Sequence, residues 1–460
     1  MPASTRVPVA VGLAALALAA LSLALALAPW ELSSDAWGWL SWGRELTHGD
    51  LNTTIAISWK PLTAALAMPL SLLGTAAAPI ALAILIRAFF LVGAALVYRV
   101  TEQVAGHAAA ICATLAYLLL DHLVGRVLLV DVEMIVIVCA LGALERHMSG
   151  RPGTAFALAI CVAMARPESW PLVGLYAIWL WRSESRLRPW LAFGILLIPL
   201  LWFGGDYAGS GDAFHGSSVA SASTNLGTNP IHDIRRNAGV LPKAVDALAL
   251  IGLVLAWRER RHGVLAVGLL AAAWALIVVV MNAFGYPGIE RFYFPPAALA
   301  CVPAGYAAGR LVTLAPGRVA RVAVGVLIVG LVALTARGEL DHDHHDYLQA
   351  KTRSADQRNL ISAIHRAGGR AALAPCASRL EVSSTLSLVA WQLGVQPNQL
   401  HYLFASSIGK PSVVVERTMH PRVPGHGVPT VVGAAGAWRV FAVTPPVTQL
   451  VPRLQCPIPA

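Results

Sequence analysis

The residues best suited to chemistry are acids and arginines placed at the edges of long apolar runs. Asp35 stands in Ser33-Ser34-Asp35-Ala36-Trp37, just beyond an apolar run that ends at Trp30. Asp131 and Glu133 open another such run, and Arg126 precedes Asp131 by five residues. Arg166-Pro167-Glu168 breaks two apolar runs apart, and Glu290-Arg291 ends the corner that begins at Gly285. Charges at the rim of a bilayer are costly and are usually paired or functional. A carboxylate can act as general base toward a hydroxyl, and arginine forks bind phosphate bidentately. The set therefore suits activation of a hydroxyl beside a phosphate, with Asp35, Asp131 and Glu133 as catalytic candidates. Arg87, Arg126, Arg166 and Arg291 are the candidate phosphate ligands. Trp37, Lys60, His122, Glu168, Asp212 and His215 complete the candidate substrate-binding set.

Plainer roles compete with these. Asp35 has the position of a helix cap, and Asp131 with Glu133 suits the positive end of a helix dipole. The Arg-Pro-Glu corner needs no function, because proline breaks a helix and the charges cap the ends. Arg87 lies about 13 Å into its apolar run at about 1.5 Å per residue, so it must snorkel, pair with an acid or face a cavity. Asp341 to Asp346 holds three His and three Asp in six residues. Consecutive residues cannot all reach one ion, so an exposed linker is expected there rather than a metal site.

The elements that position these groups follow from hydropathy. The chain has 460 residues, of which 57% are hydrophobic and 13% charged, against about 25% charged in soluble domains. Charge-poor stretches predict about eleven transmembrane helices, near 9–29, 78–98, 106–121, 128–146, 153–167, 169–182, 189–204, 242–257, 263–282, 292–310 and 319–336. The first is read as an uncleaved span rather than a signal peptide, being too long and followed by a poor cleavage site. The net charge is +10, but its arginines cluster in short connections: Arg99, Arg146 to Arg151, Arg182 to Arg188, Arg258 to His262 and Arg310 to Arg321. That is topology signalling. It puts the N-terminus in the cytoplasm and the acids and C-terminus outside. No nucleic-acid motif or aromatic-interleaved basic face is present, so nucleic acid is not an expected partner.

Residues 1–336 form the expected transmembrane domain, with long outer loops at about 31–77 and 205–241. Leu40, Gly43 and Leu46 recur at helical spacing in the first loop, predicting an amphipathic helix lying in the membrane interface. The second is rich in Gly, Ser and Asn, and carries Asp206, Asp212, His215, His232 and Asp233. Residues 337–460 read as a small extracytoplasmic α/β domain. A helix is expected around Leu360 to Ile364, and strands near 371–374, 412–415, 430–433 and 438–443. Cys112, Cys139, Cys161 and Cys301 fall in apolar runs, whereas Cys376 and Cys456 fall in the tail and suit a disulfide if the tail is outside.

Taken together, the pattern resembles the GT-C superfamily of integral membrane glycosyltransferases that use polyprenyl-phosphate sugars. The residues carrying it are Asp35 in a long first outer loop, Lys60-Pro61-Leu62, Ile86-Arg87-Ala88, Arg126 through Glu133, Ala165-Arg-Pro-Glu168 and the soluble tail. The resemblance implies a GT-C-like fold and transfer of a sugar to an envelope glycan, lipid or protein, with Asp35 as base and the lipid phosphate leaving. The family's frequent Asp-Glu or Asp-x-Asp pair is missing after Asp35, which counts against metal dependence; a divalent cation stays open as cofactor. The resemblance allows an acceptor-binding role for the tail, in whose sequence no site is visible. A transporter or flippase of polyprenyl-linked glycans would call for internal repeats and polar residues near midplane. No repeat is found, and the acids gather on one side. A catalytically inert scaffold of the same fold is the other alternative.

Overall fold

A computed structural model describes residues 29–54, 57–222, 239–286, 288–403, 413–418 and 428–444. The expected span at 9–29 lies almost wholly outside these residues, as do His232, Asp233 and Cys456.

The chain is mostly helical. In order, the helices are α1 Ser34–His48, α2 Pro61–Ser71, α3 Gly74–Ala105, α4 His107–Leu118, α5 Leu123–Leu128, α6 Glu133–Met148, α7 Pro152–Ala165 and α8 Trp170–Ser183. They continue as α9 Arg188–Ser210, α10 His215–Ser221, α11 Lys243–Arg258, α12 His262–Ala283, α13 Phe294–Leu314 and α14 Gly317–Thr335. Among the described residues, five helical segments are long and apolar enough to cross a membrane: Gly74–Ala105, Ser185–Ser210, His262–Ala283, Glu290–Leu314 and Gly317–Thr335. Pro61–Ser71, His107–Leu118 and Pro152–Ala165 are shorter apolar helices. The outer face of α14 shows why water is the wrong solvent: Val319, Val326 and Val329 are all largely exposed, an arrangement stable only against lipid.

Small residues let these helices approach closely, as packing in lipid favours. Gly305 of α13 lies against the Ala109 carbonyl and the Ala113 methyl of α4, and Gly252 of α11 against the Pro303 backbone. A side chain at either glycine would overlap backbone. Among the five candidate spans, the one containing α13 is the most enclosed, with α13 buried along most of Phe294 to Ala308.

Three expectations are corrected. The helix expected in the membrane interface, α1, is instead a core element. Ser33 caps its start by accepting from the Ala36 amide at 3.2 Å, and Gly49 ends it at φ 74°, a left-handed position that suits glycine. Trp37, Trp39 and Trp42 are all buried because α2 covers one side and the tail another. Gly43 meets the Ala67 backbone at 2.6 Å, leaving no room for a Cβ. The second outer loop begins later than expected, since α9 continues to Ser210 and holds Asp206 in its last turns, followed by α10. The run from Glu339 to Tyr347 is no linker, for it lies inside the 30-residue helix α15 Arg337–Arg366.

The tail continues with α16 Gly369–Leu373, where a strand was expected, and α17 Leu386–Leu393. Its strands are β1 Leu380–Val382, β2 His401–Tyr402, β3 Val413–Glu416, β4 Val428–Ala435 and β5 Trp438–Thr444, in the spatial order β2-β1-β3-β5-β4. β1 runs parallel to β2 and β3, while β5 is antiparallel to β3 and β4. β1 and β3 are buried at every residue, as central strands are when both faces are covered. Cys376 is disulfide-bonded.

Candidate active site

Residues of α1, α7, α8, α9, α10 and α12, with the segments just before α2 and α13, line a cavity of about 470 Å³. Each charged wall residue arrives at a helix end. Asp35 sits in the first turn of α1, where the helix dipole favours a negative charge. Lys60 is the residue before α2, whose first position is Pro61. Proline is tolerated there because it lacks only an amide that would be unpaired anyway. Arg166 ends α7 in extended conformation, and Pro167 and Glu168 form the following short turn. Arg291 lies in the turn leading into α13.

Asp35 is the junction of the charges. Its Oδ2 lies 3.3 Å from Arg291 Nη1 and 3.6 Å from Lys60 Nζ. Burial alone would push its carboxyl up, but Lys60, Arg291 and Arg166 together outweigh burial and hold it down at about 2. Burial in turn lowers the ammonium of Lys60, with Asp35 opposing. Arg166 contacts Glu133 directly, lies 3.7 Å from Glu168, and stacks over the Phe292 ring at 4.5 Å. Burial raises the Glu168 carboxyl. Lys60 and Arg291 both bear on Asp35, which sets two cations against one carboxylate at this part of a cavity that Arg166, Glu168 and Asp206 also line. A local pair of cations of this kind suits an anionic ligand.

Asp35, Lys60, Arg166, Glu168 and Arg291 thus come together on one cavity wall. Asp131 and Glu133 lie behind it, buried against Arg126 and Arg166 respectively. Arg126 bridges Asp131 at 3.3 Å and Glu290 at 3.6 Å, and with His122 it lines a separate cleft of about 250 Å³. The remaining four candidates lie off the main cavity wall. Arg87 is buried and donates to the Pro29 carbonyl at 3.0 Å. Trp37 is packed inside the core. Asp212 is exposed and folds its own turn by accepting from the Phe214 amide at 2.9 Å. His215 opens α10 beside the cavity-lining Phe214 and Gly216.

Sequence reasoning did not single out Asp206, Ser58 or Trp202, all of which line the cavity. Asp206 is buried and its Oδ2 accepts from the Gly216 amide at 2.9 Å. An acid closing the apolar run after Gly204-Gly205 was the available signal. Asp35, Asp131 and Glu133 do not offer free carboxylates to a divalent ion. Asp35 faces Arg291 and Lys60, Asp131 faces Arg126, and Glu133 faces Arg166, so each is already balanced by a cation of the chain.

Neither protein-family models nor curated protein sequences match this chain. Solved structures do match in fold. ArnT from Cupriavidus metallidurans in the apo state aligns over 94% of this chain and 98% of its own, with TM-score 0.54 and 15% identity. The same protein bound to undecaprenyl phosphate aligns over 93% and 97%, with TM-score 0.51 and 14% identity. The archaeal oligosaccharyltransferase AglB from Archaeoglobus fulgidus, in complex with an inhibitory peptide and a dolichol-phosphate, aligns over 87% of this chain and 69% of its own. Its TM-score is 0.51 and its identity 11%. The fold is therefore shared with ArnT along nearly the whole length of both chains.

Proposed function

We propose that this chain is a membrane glycosyltransferase that moves a sugar from a polyprenyl-phosphate donor to a hydroxyl of an envelope glycan, lipid or protein. The transfer takes place at the outer face of the cell membrane. The observation that carries this reading is Asp35 held between Lys60 and Arg291 in a cavity whose wall also presents Arg166.

Lys60 and Arg291 receive the donor phosphate, with Arg166 beside them. A bound phosphate competes with Asp35 for those cations. As they turn to the phosphate, the Asp35 carboxyl rises from about 2, because an added negative charge disfavours ionisation. Donor binding itself therefore makes Asp35 a better base, closer to the range where general base catalysis is efficient. Asp35 then takes the proton of the acceptor hydroxyl, whose oxygen attacks the anomeric carbon. The bond from that carbon to the phosphate oxygen breaks, and the lipid phosphate leaves with its charge held by the same cations. A single displacement of this kind inverts the anomeric centre and needs no covalent intermediate. Trp170, Trp202 and Phe292 supply flat apolar walls suited to a sugar ring or the first isoprene units. The fold shared with proteins solved in complex with undecaprenyl phosphate and dolichol-phosphate supports this reading.

The test is thermal unfolding of the full-length protein with a panel of polyprenyl-phosphate sugars, followed by transfer assays with the stabilising donor. Stabilisation by at least one donor, lost in Lys60→Ala, is the expected result. Absence of stabilisation by every polyprenyl phosphate would overturn the proposal.

A further inference from the structure

Away from the cavity, the fold assembles a second group of side chains that the proposed transfer does not use. Asp121 and His122 form the corner after α4, and His342 and Asp346 lie one turn apart on α15, on the same helix face. Asp121 Oδ1 is 3.0 Å from His342 Nδ1, and Asp121 Oδ2 is 3.8 Å from His122 Nε2. One ligand atom from each of Asp121, His122 and His342 lies within 4.8 Å of the others. On the far side of its ring, His122 Nδ1 contacts Asp346 Oδ2 at 2.8 Å.

That last contact gives the cluster its meaning. A neutral His122 that donates Nδ1–H to Asp346 has its lone pair on Nε2, and this lone pair faces the Asp121 carboxylate. Such a pair is bridged either by a proton on Nε2 or by a metal cation between the two atoms. A carboxylate that orients the distal nitrogen of a ligating histidine is also the usual outer partner in histidine–metal sites. Zinc ligands at about 2.0–2.2 Å in a tetrahedron stand roughly 3.3 Å apart, against 3.2 Å and 3.8 Å from Asp121 Oδ2 to His342 and His122 and up to 4.8 Å across the whole set. The His122 and His342 rings stack at 4.8 Å and 5°, so closing on one ion requires His342 to tilt. Its side chain is 54% exposed and has the room. Gly125, one turn after the corner, admits the Asp346 carboxylate where any Cβ would collide with it.

We propose that Asp121, His122 and His342 bind one zinc-class divalent ion, with Asp346 orienting His122 and solvent filling the fourth position. The ion would staple the start of α15 to the corner after α4, fastening the tail to the membrane domain. Two imidazoles and one carboxylate favour zinc or a similar first-row ion over magnesium or calcium, which prefer oxygen ligands. The run from Asp341 to Asp346 could not close on an ion alone. The fold supplies the missing ligands from 221 residues earlier in the chain.

The full-length protein, stripped with chelator and dialysed against Co²⁺ or Zn²⁺, should retain one ion per chain. Bound Co²⁺ should give the visible absorption of a tetrahedral site, and Zn²⁺ should raise the unfolding temperature while Mg²⁺ does not. His342→Ala, at an exposed position where folding is not at stake, should abolish the bands and the stabilisation. Asp346→Asn should weaken binding about 10–100-fold, whereas His345→Ala should leave it intact. No retained ion, or retention unchanged in His342→Ala, would overturn the proposal. So would loss in His345→Ala with retention in His342→Ala, which would mark adventitious binding along α15.

Discussion

The two ends of α1 are held by opposite means. At its N-terminal turn Asp35 is gripped by charges, with Arg291 and Lys60 within 3.6 Å. At its C-terminal turns the tail grips it through backbone carbonyls. Arg44 donates to Trp391 at 3.2 Å and to Val395 at 2.8 Å, and its guanidinium lies over the Trp391 ring. Gln396 reaches the Asp50 carbonyl just past the helix at 2.6 Å, and Trp391 anchors the same contact to α3 by donating to the Thr75 carbonyl at 3.0 Å. Charges can be regrouped around a new anion, whereas a packed set of backbone hydrogen bonds has only one arrangement. In the proposed transfer the first end changes partners, while the second keeps the first where it is.

If that contrast holds, substitutions at the two ends should separate into rate effects and stability effects. The largest effect is expected for Asp35→Asn, which preserves shape but removes the base. Transfer should fall about 10²–10⁴-fold with donor binding retained, measured as initial rate and as donor-induced thermal shift. An unchanged rate would remove Asp35 as base. Next come Lys60→Ala and Arg291→Ala, each removing a charge-assisted contact of about 1.5–3 kcal/mol. Donor affinity should weaken by roughly 10–100-fold, read by titration. An effect on stability alone would mean these cations serve Asp35 and not a phosphate.

Arg44→Ala attacks the other end. It should cost about 2 kcal/mol of stability, seen as a lower unfolding temperature, while donor affinity of the folded protein changes little. A large loss of transfer without destabilisation would show that the tail grip is part of the chemistry. The smallest effect is pH-dependent. Burial raises the Glu45 carboxyl from 4.5 to about 7, with the Asn52 amide opposing. A raised acid disfavours its ionised form in the fold, so its stabilising contribution is present at low pH and fades as pH rises from about 4.5 to about 7. Glu45→Gln should flatten the decline of unfolding temperature across that window. Glu31, raised by burial to about 7 as well, should leave a residual slope.

Much of the membrane part was legible in advance because helices in lipid declare themselves through length and apolarity. α3 and α9 begin or end within several residues of the expected runs, and the corner at Arg166-Pro167-Glu168 is where proline and the charges indicated. The tail was harder to read. β1 and β2 are only three and two residues long, too short for an alternating pattern, and α16 is a five-residue helix with the apolar look of a strand. Burial of α1 was invisible locally. Its apolar residues recur at helical spacing whether their neighbour is lipid or the tail.

By itself the sequence determined where apolar runs start and stop, and therefore that acids and arginines would collect at their ends. That information is local, since the cost of a charge in hydrocarbon is settled by its own neighbours in the chain. Which charge meets which was decided only by the tertiary structure. Arg291 reaches Asp35 across 256 residues and His342 reaches Asp121 across 221, separations over which no periodicity carries a signal. Asp35 meets Lys60 and Arg291, with Arg166 nearby, because the ends of α2, α7 and α13 deliver their cations to the same corner.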